Sequence, residues 1–374
     1  MSNADNFEAA AARDEAVAEF DHQRRGFVHR LQHLLHTNPS LVPLIVLVLS
    51  TVGLGVYIDW EPIQVSLGLA RLEDVSNGSY RFFKSFTLTL ILQQVQIVGV
   101  LAAAQTLIIL TAGIDLSVGA IAVLCSVIMG QFTFRYGIPP TFSIMIGLAV
   151  GTAIGAISGF LVSRIKLPPF IVTLGMWQIV LAANYLYSAN ETIRSQDIEA
   201  QASFLQFMGT KFSLGGATFT LGVISMLILA FALAYALRST PWGRHVYAVG
   251  GDPDAAELAG VDTHRTLMSV YMLAGFICAF AGWVMIGRFG SVSPSATTGV
   301  IGNIQAITAV VIGGISLFGG RGSILGARFG ALSVGVFELG LRMAGADPQW
   351  TFLLIGVLII AAVAVDQWIR KVSV

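Results

Sequence analysis

The residues best suited to chemistry are polar side chains set inside long apolar runs. In LTAGIDLSVGAIAVL, residues 110–124, Gly113 and the carboxyl group of Asp115 interrupt such a run. An ionised carboxylate costs roughly 3 kcal/mol at a helix centre in a bilayer, and irregular backbone is tolerated there only beside protein or water. The segment predicts a helix break at a solute pathway or its mouth. A tight turn is the alternative, with Asp115 as the N-cap of the next helix, accepting from Ser117 or Val118 N–H.

Other apolar runs carry amides and a tryptophan that could hydrogen-bond a polar solute. Gln93 and Gln96 share a helix face, whereas Gln94 points elsewhere. For each residue the alternative is a hydrogen bond between helices, which contributes about 0.6–2 kcal/mol. The complete set of candidates for a solute pathway is Gln93, Gln96, Asp115, Ser117, Trp177, Asn184, Asn303 and Gln305.

A third candidate is the polar loop of residues 238–265, RSTPWGRHVYAVGGDPDAAELAGVDTHR. Asp252 suits an N-cap, Pro253 the first helical position and Gly260 the position after a C-terminus, so we expect a helix over residues 253–259. Such a helix is too short to cross a membrane. It could dock into the cleft of another protein or serve only as a connector. The residues expected to make the docking contact are Asp252, Asp254, Ala255, Ala256, Glu257 and Gly260.

Composition defines the class of protein that must position these residues. The chain has 374 residues, of which 55% are hydrophobic and 11% charged, and its mean hydropathy is +0.77. Soluble domains carry roughly 25% charged residues, so this is an all-α polytopic membrane protein. A formal net charge of zero argues against nucleic acid binding. Cys125 and Cys278 both lie in apolar runs, which implies neither a disulfide framework nor a metal site.

Windows of about 20 apolar residues predict about ten membrane spans. Basic residues in the short loops, such as Arg164, Arg244 and Arg321, fall on one face with the Arg-bearing N-terminal tail. By the positive-inside rule that face and both termini are cytoplasmic, and the longer loops at 59–85 and 189–217 face outward. The predicted spans are 41–58, 86–111, 117–134, 141–163, 170–188, 218–237, 267–286, 301–318, 324–343 and 351–368.

Two domains are expected. Residues 1–40 form a cytoplasmic tail. Its apolar residues recur at the helical spacing typical of a membrane-surface helix, at Phe27, Leu31, Leu34 and Leu35 beside Arg24, Arg25 and Arg30. Residues 41–370 form the transmembrane domain. Within it, four glycines at four-residue intervals, from Gly147 to Gly159, predict close helix packing. Glu338 and Arg342 are one turn apart and should pair, with a role facing the lumen as the alternative.

Three motifs in the same order carry a family resemblance. They are LTAGIDLSVGAI at 110–121, YAVGGDPDAAELAGVDTHR at 247–265 and AVVIGGISLFGGRGSILGARFGALSVGV at 309–336. The chain resembles the membrane subunit of bacterial ATP-binding-cassette importers for monosaccharides of the ribose, xylose and fructose type. Asp254, Ala255, Ala256 and Gly260 match that family's EAA-x-x-x-G pattern, with aspartate in place of glutamate. The resemblance implies a loop helix gripped by a separate cytoplasmic ATPase.

The resemblance also implies the other partners. A second permease copy, most simply in a homodimer, would complete one translocation path within the lipid bilayer, and a periplasmic sugar-binding protein would deliver substrate. The chain itself should bind no cofactor, because it has no G-x-x-x-x-G-K-[ST] phosphate loop, so ATP and magnesium belong to the partner ATPase. IKLPPFIVTLG at 165–175 is most similar to the fructose branch. The alternatives are a permease for a nucleoside or branched-chain amino acid, and a self-sufficient secondary carrier.

Overall fold

The structure, a computed structural model, describes residues 40–68 and 79–370, and the surface helix expected at 27–35 lies outside them. The described chain is helical apart from one antiparallel hairpin, which the all-α prediction did not include. The strands are β1, Lys211–Leu214, and β2, Ala217–Thr220, preceded by a 3₁₀ helix at Ser203–Gly209. The helices are α1 Leu41–Ile58, α2 Trp60–Ser66, α3 Ser85–Leu110, α4 Val118–Tyr136, α5 Pro140–Ser163, α6 Pro169–Ser188, α7 Ser195–Gln201, α8 Leu221–Ser239, α9 Pro241–Gly251, α10 Pro253–Leu258, α11 Thr263–Phe289, α12 Ala296–Ile312, α13 Ile324–Met343 and α14 Pro348–Arg370.

Nine helices in the described chain are long and apolar enough to cross a membrane, namely α1, α3, α4, α5, α6, α8, α11, α13 and α14. The bounds predicted for the eighth span, 301–318, are wrong. Helix α12 begins five residues earlier and ends at Ile312. Beyond it the apolar residues form turns, in which Gly314 has a φ of 69° and Gly319 a φ of 80°. A hydropathy window counts such residues as helical because it cannot detect a backbone that leaves the helix.

Helices α3, α4 and α11 form the centre of the bundle, and α1 and α14 lie at its edge. The central helices are apolar around their whole circumference, the pattern expected of a helix surrounded by other helices. Large apolar side chains on the edge helices remain exposed, for example Leu49 on α1 and Ile360 on α14. The edge of the bundle is therefore suited to lipid or to another apolar chain.

Glycines bring α5 and α11 into backbone contact. A Cβ atom at Gly155 would overlap the Tyr271 carbonyl oxygen, and one at Gly275 would overlap the Gly151 carbonyl oxygen. Only glycine lets two helix backbones approach this closely. The packing role predicted for the glycines of α5 is confirmed.

A buried carboxylate ties the end of α1 to the start of α3. Asp59 is fully buried, and its two oxygens accept hydrogen bonds from the backbone N–H groups of Arg81, Phe82 and Phe83 at 2.7–3.0 Å. Three N–H groups that precede a helix are satisfied by one side chain. The sequence alone places Asp59 only at the start of an outward-facing polar loop, because its partner residues are more than twenty positions away.

Candidate functional site

The loop of residues 238–265 contains two helices, where the sequence predicted one. Helix α9 is capped by Thr240, whose Oγ1 accepts from Gly243 N–H at 3.2 Å. Gly250 and Gly251 complete the last turn of α9. The sequence signal for α9 was present, because Thr240 and Pro241 are a favourable cap and first position.

Helix α10 is the predicted short helix, and it ends one residue earlier than expected. The Asp252 carboxylate caps it by accepting from the N–H groups of Asp254 and Ala255, both at 3.0 Å. At the other end Gly260 has a φ of 85°, and Gly260 N–H and Val261 N–H bond back to the carbonyls of Glu257 and Ala256. This is a Schellman ending, which satisfies carbonyls that would otherwise lack partners. The helix is therefore held at both ends by its own residues.

The faces of α10 differ from what the family motif alone suggested. Ala256 is buried and points toward the bundle, whereas Asp252, Asp254, Ala255, Glu257 and Gly260 are exposed. Leu258 is 91% exposed, and the sequence analysis missed it. The sequence did carry a signal for this residue, because Leu258 is a large apolar residue in a polar loop outside every predicted span. It is the apolar tip that a docking partner could bury.

Glycines connect this loop to the rest of the bundle. Gly320 N–H donates to the Leu110 carbonyl at the end of α3, at 3.0 Å. A Cβ atom at Gly250 would overlap that same carbonyl oxygen and would lie 2.8 Å from Gly320 N. The ends of α3 and α9 and the loop before α13 thus meet through backbone atoms. We call Leu110, Gly250 and Gly320 the glycine junction.

Asp115 lies in the turn between α3 and α4. Its Oδ1 accepts from Ser117 N–H and from Ser117 Oγ, both at 2.6 Å. The prediction that Asp115 is the N-cap is wrong, because α4 begins at Val118 with Ser117 at the cap position. Its partner is nonetheless one of the two N–H groups that the sequence suggested. Burial raises the pKa of the Asp115 carboxyl above its ordinary value, and the hydrogen bonds from Ser117 oppose that shift.

The turn around Asp115 is fixed from two other helices. The Gln105 side chain pairs with the backbone of Asp115. Its amide oxygen accepts from Asp115 N–H at 3.3 Å, and its amide nitrogen donates to the Asp115 carbonyl at 3.0 Å. Asn303 Nδ2 donates to the Leu116 carbonyl at 3.0 Å. A turn held by side chains from α3 and α12 is a rigid element of the bundle.

We expect Asp115→Asn to retain the turn and Asp115→Leu to damage it. Asparagine keeps an acceptor for Ser117, so the cost should be about 1 kcal/mol or less, whereas leucine leaves a buried N–H group unpaired at a cost of about 1–3 kcal/mol. Thermal unfolding of the purified chain in detergent checks this, with the exposed Asp197→Asn as the control. Equal midpoints for the leucine variant and the control would contradict it.

Four other candidate side chains form hydrogen bonds within the bundle. Gln93 Nε2 donates to the Thr218 carbonyl at 2.7 Å, and Gln96 Oε1 accepts from Thr220 Oγ1 at 2.9 Å, so both face β2. Asn184 Nδ2 donates to the Pro294 carbonyl at 2.9 Å beside the partly buried Trp177, and Ser117 is engaged with Asp115. These side chains therefore bond to other parts of the chain, as the alternative of hydrogen bonds within the bundle predicts, but their partners lie in β2 and in loops and not on other helices.

Gln305, in contrast, lines two cavities. The first, of about 210 Å³, lies between α3, α11, α12 and α13, and the second, of about 190 Å³, lies between α12, α13 and α14. Gln305 and Glu338 line both, and Gln94 and Arg288 also line the first. We call these four residues the polar cluster. A larger groove of about 690 Å³ between α1, α8, α9 and α13 has no amide or carboxyl group in its lining.

Glu338 is the centre of the polar cluster. Its Oε1 accepts from Gln94 Nε2 at 3.1 Å and from Arg342 Nη2 at 3.4 Å, and its Oε2 accepts from Gln305 Nε2 at 3.3 Å. The pairing predicted for Glu338 and Arg342 is therefore confirmed. Arg288 Nη2 donates to Gln94 Oε1 at 3.5 Å. Among residues 40–68 and 79–370 no three His, Cys, Asp or Glu side chains are grouped as metal ligands would be.

Comparison with known proteins assigns the family. A family model described as the permease component of a branched-chain amino acid transport system matches residues 87–363. The chain belongs to this permease family. Like its relatives, the permease is a multi-pass protein of the bacterial inner membrane.

Curated relatives match the permease over most of their length. It is 63% identical over 357 residues to the fructose import permease protein FrcC of Rhizobium meliloti, covering 96% of this chain and 93% of the relative. It is 34% identical to the ribose import permease protein RbsC of Escherichia coli K12, covering 80% and 91%. It is 32% identical to the galactose/methyl galactoside import permease protein MglC of the same organism, covering 76% and 88%. No solved structure matches the permease.

Proposed function

We propose that this permease is the membrane subunit of an ATP-binding-cassette importer that carries a monosaccharide, fructose or a ribose-like sugar. The observation that carries the proposal is the 63% identity, over nearly the whole chain, to a protein named for fructose import. Helix α10 supports it, because a self-capped helix with Leu258 exposed at its tip can seat in the cleft of a second protein.

Energy would come from a separate cytoplasmic ATPase, since the chain has no phosphate-loop motif. ATP binding would draw α10 toward the ATPase, and α9 would transmit that movement to the glycine junction. Leu110 at the junction and Gln94 in the polar cluster are on one helix, about 24 Å apart at about 1.5 Å per residue. A displacement at the cytoplasmic end of α3 would thereby reach the cavity. The bundle would have two conformations, and ATP bound to the partner subunit would shift the equilibrium between them.

The remaining partners would bind on the side of the membrane opposite the ATPase and within the bilayer. A periplasmic sugar-binding protein would dock on the face that bears the 189–217 loop, and a second copy of the permease would complete the path. Both termini would be cytoplasmic, in line with the basic residues of the short loops.

A second cargo class is favoured by one observation. Arg288 and Glu338 lie on opposite sides of Gln94 in one cavity, and a cation and an anion so placed could bind the two charges of an amino acid zwitterion. The description of the family model names branched-chain amino acid transport, which agrees with this cargo. The identity to a fructose import permease outweighs it.

The test is mild-detergent purification of the tagged permease from its native membrane, with mass spectrometry of the proteins that co-purify. We expect an ATPase subunit at near-equal amount, and we expect the complex in proteoliposomes with its binding protein to accumulate labelled fructose or ribose but not leucine. Accumulation of leucine alone would overturn the sugar assignment. A homo-oligomer without an ATPase, in a preparation that preserves other such complexes, would overturn the class and favour a self-sufficient carrier.

A further inference from the structure

The two cavities that meet at the polar cluster share the lining residues Ile301, Gln305 and Glu338. Gln305 and Glu338 line both cavities, and one hydrogen bond of 3.3 Å, from Gln305 Nε2 to Glu338 Oε2, joins them across α12 and α13. No backbone needs to move for this bond to open. The two side chains form a partition that a competing hydrogen-bond partner could remove.

The contacts of Glu338 are of a kind that a solute can replace. All three come from long flexible side chains, Gln94, Gln305 and Arg342, and none from a backbone N–H group. The Glu338 side chain is 22% exposed, so it is reachable from the cavity. A hydroxyl that donates to a carboxylate forms a charge-assisted hydrogen bond, which is stronger than the average neutral one.

The polar cluster matches a polyhydroxylated neutral solute in its donors and acceptors. A carboxylate only accepts, a guanidinium only donates, and an amide does both, whereas each sugar hydroxyl can donate and accept. Glu338, Arg288 and the two glutamines thus offer partners for neighbouring hydroxyls without requiring a charged ligand. The first cavity also has apolar walls, including Ile97, Leu101 and Phe289, against which the C–H face of a ring can pack.

Replacing hydrogen bonds within the cluster by hydrogen bonds to a sugar changes the free energy little, which suits transport. A bound sugar would exchange hydrogen bonds within the cluster for hydrogen bonds to the solute, so little free energy is gained overall. Binding would be weak and release fast. The same exchange breaks the contact between Gln305 and Glu338 and joins the cavities.

We propose that the polar cluster is the sugar-recognition site of the permease, with Glu338 as the carboxylate that binds neighbouring hydroxyls and with Gln305 and Glu338 as a partition that the bound sugar opens. The proposal rests on the proposed function, because it takes the transported solute to be a monosaccharide. Arg288 and Gln94 would complete the site from α11 and α3.

The experiment places a cysteine where it reports on the site without altering its polar groups. Ile301 lines both cavities and is 39% exposed, while the native Cys125 and Cys278 are at most 1% exposed and should not react. Ile301→Cys in the permease–ATPase complex, held in nanodiscs without the binding protein, is treated with a small thiol reagent at rising fructose concentrations. We expect fructose to slow the reaction several-fold, and a second reporter in the exposed outer loop, Thr192→Cys, to react at a constant rate.

Glu338→Gln is then combined with the reporter. We expect the fructose concentration that protects Ile301→Cys to rise about tenfold or more, the effect of losing a charge-assisted bond. Uptake in proteoliposomes should fall by a similar factor. Glu191→Gln, which removes the same charge from an exposed ion pair with Arg135, is the control and should leave the protecting fructose concentration unchanged.

The outcomes separate the inference from the proposed function. If the wild-type importer accumulates fructose but fructose never protects Ile301→Cys, or if Ile301→Cys does not react at all, the site assignment is overturned and the function stands. Unchanged protection in Glu338→Gln would overturn the role of the carboxylate. If the wild type accumulates no sugar, the proposed function itself fails.

Discussion

Replacing Leu258 with aspartate should reduce sugar uptake to background while leaving the permease in the membrane. Leu258 is 91% exposed at the end of α10, so the isolated permease loses almost no packing when it changes. An apolar residue that anchors an interface typically costs 2 kcal/mol or more when truncated, about thirtyfold in affinity, and a buried aspartate costs further. The measurement is co-purification of the ATPase together with uptake in proteoliposomes.

Leu214→Asp is the matched control for this variant. Leu214 is 71% exposed on β1, so the same substitution is made at a similarly exposed leucine away from the docking loop. It should leave ATPase binding unchanged. Normal uptake by Leu258→Asp would exclude α10 as the docking element. Ala256→Arg, which the family motif would suggest, is a poorer test, because Ala256 is 5% exposed and faces the bundle.

The second large effect is expected at the glycine junction. Gly250→Ala adds one carbon atom, which would overlap the Leu110 carbonyl oxygen and press on Gly320 N. Both neighbours are backbone atoms and cannot rotate away. We expect the overlap to destabilise the fold by about 1–3 kcal/mol, to break the hydrogen bond between Gly320 and Leu110, and to reduce uptake much more than ATPase binding.

The adjacent glycine supplies the control. A Cβ atom at Gly251 would have no heavy atom within 4 Å, so Gly251→Ala should be neutral or slightly stabilising, as alanine usually is in a helix. Thermal unfolding, ATPase co-purification and uptake are measured for both variants. Equal behaviour of Gly250→Ala and Gly251→Ala would show that the glycine junction has no mechanical role.

Much of the fold could be predicted because membrane spans are determined by local composition. Length and hydropathy located all nine long helices within a few residues. The errors occurred where apolar residues leave the helix, as at 313–318, or form a strand, as at 218–220. In both places the determining interaction is distant: the loop after α12 contacts Leu110, and β2 accepts a hydrogen bond from Gln93 of α3.

Helix α10 was predictable from the sequence, whereas only Gln305 of the polar cluster was, for a physical reason. Asp252 and Gly260 act on backbone groups a few positions away, so their sequence spacing is sufficient evidence. Helix α3 is instead apolar on every side, and periodicity cannot say which side faces a cavity. Gln93 and Gln96 were therefore preferred over Gln94, although Gln94 is the one that lines the cavity.

The glycine contacts between α5 and α11 also determine which parts of the permease can move independently. Helix α11 starts five residues after the end of α10, and it is joined to α5 through direct backbone contacts at Gly151, Gly155 and Gly275. Two helices without intervening side chains have no soft layer along which to slide. Helices α5 and α11 should therefore move as one rigid body. We expect the hinges of the transport cycle where this pair meets the other helices, and not between α5 and α11.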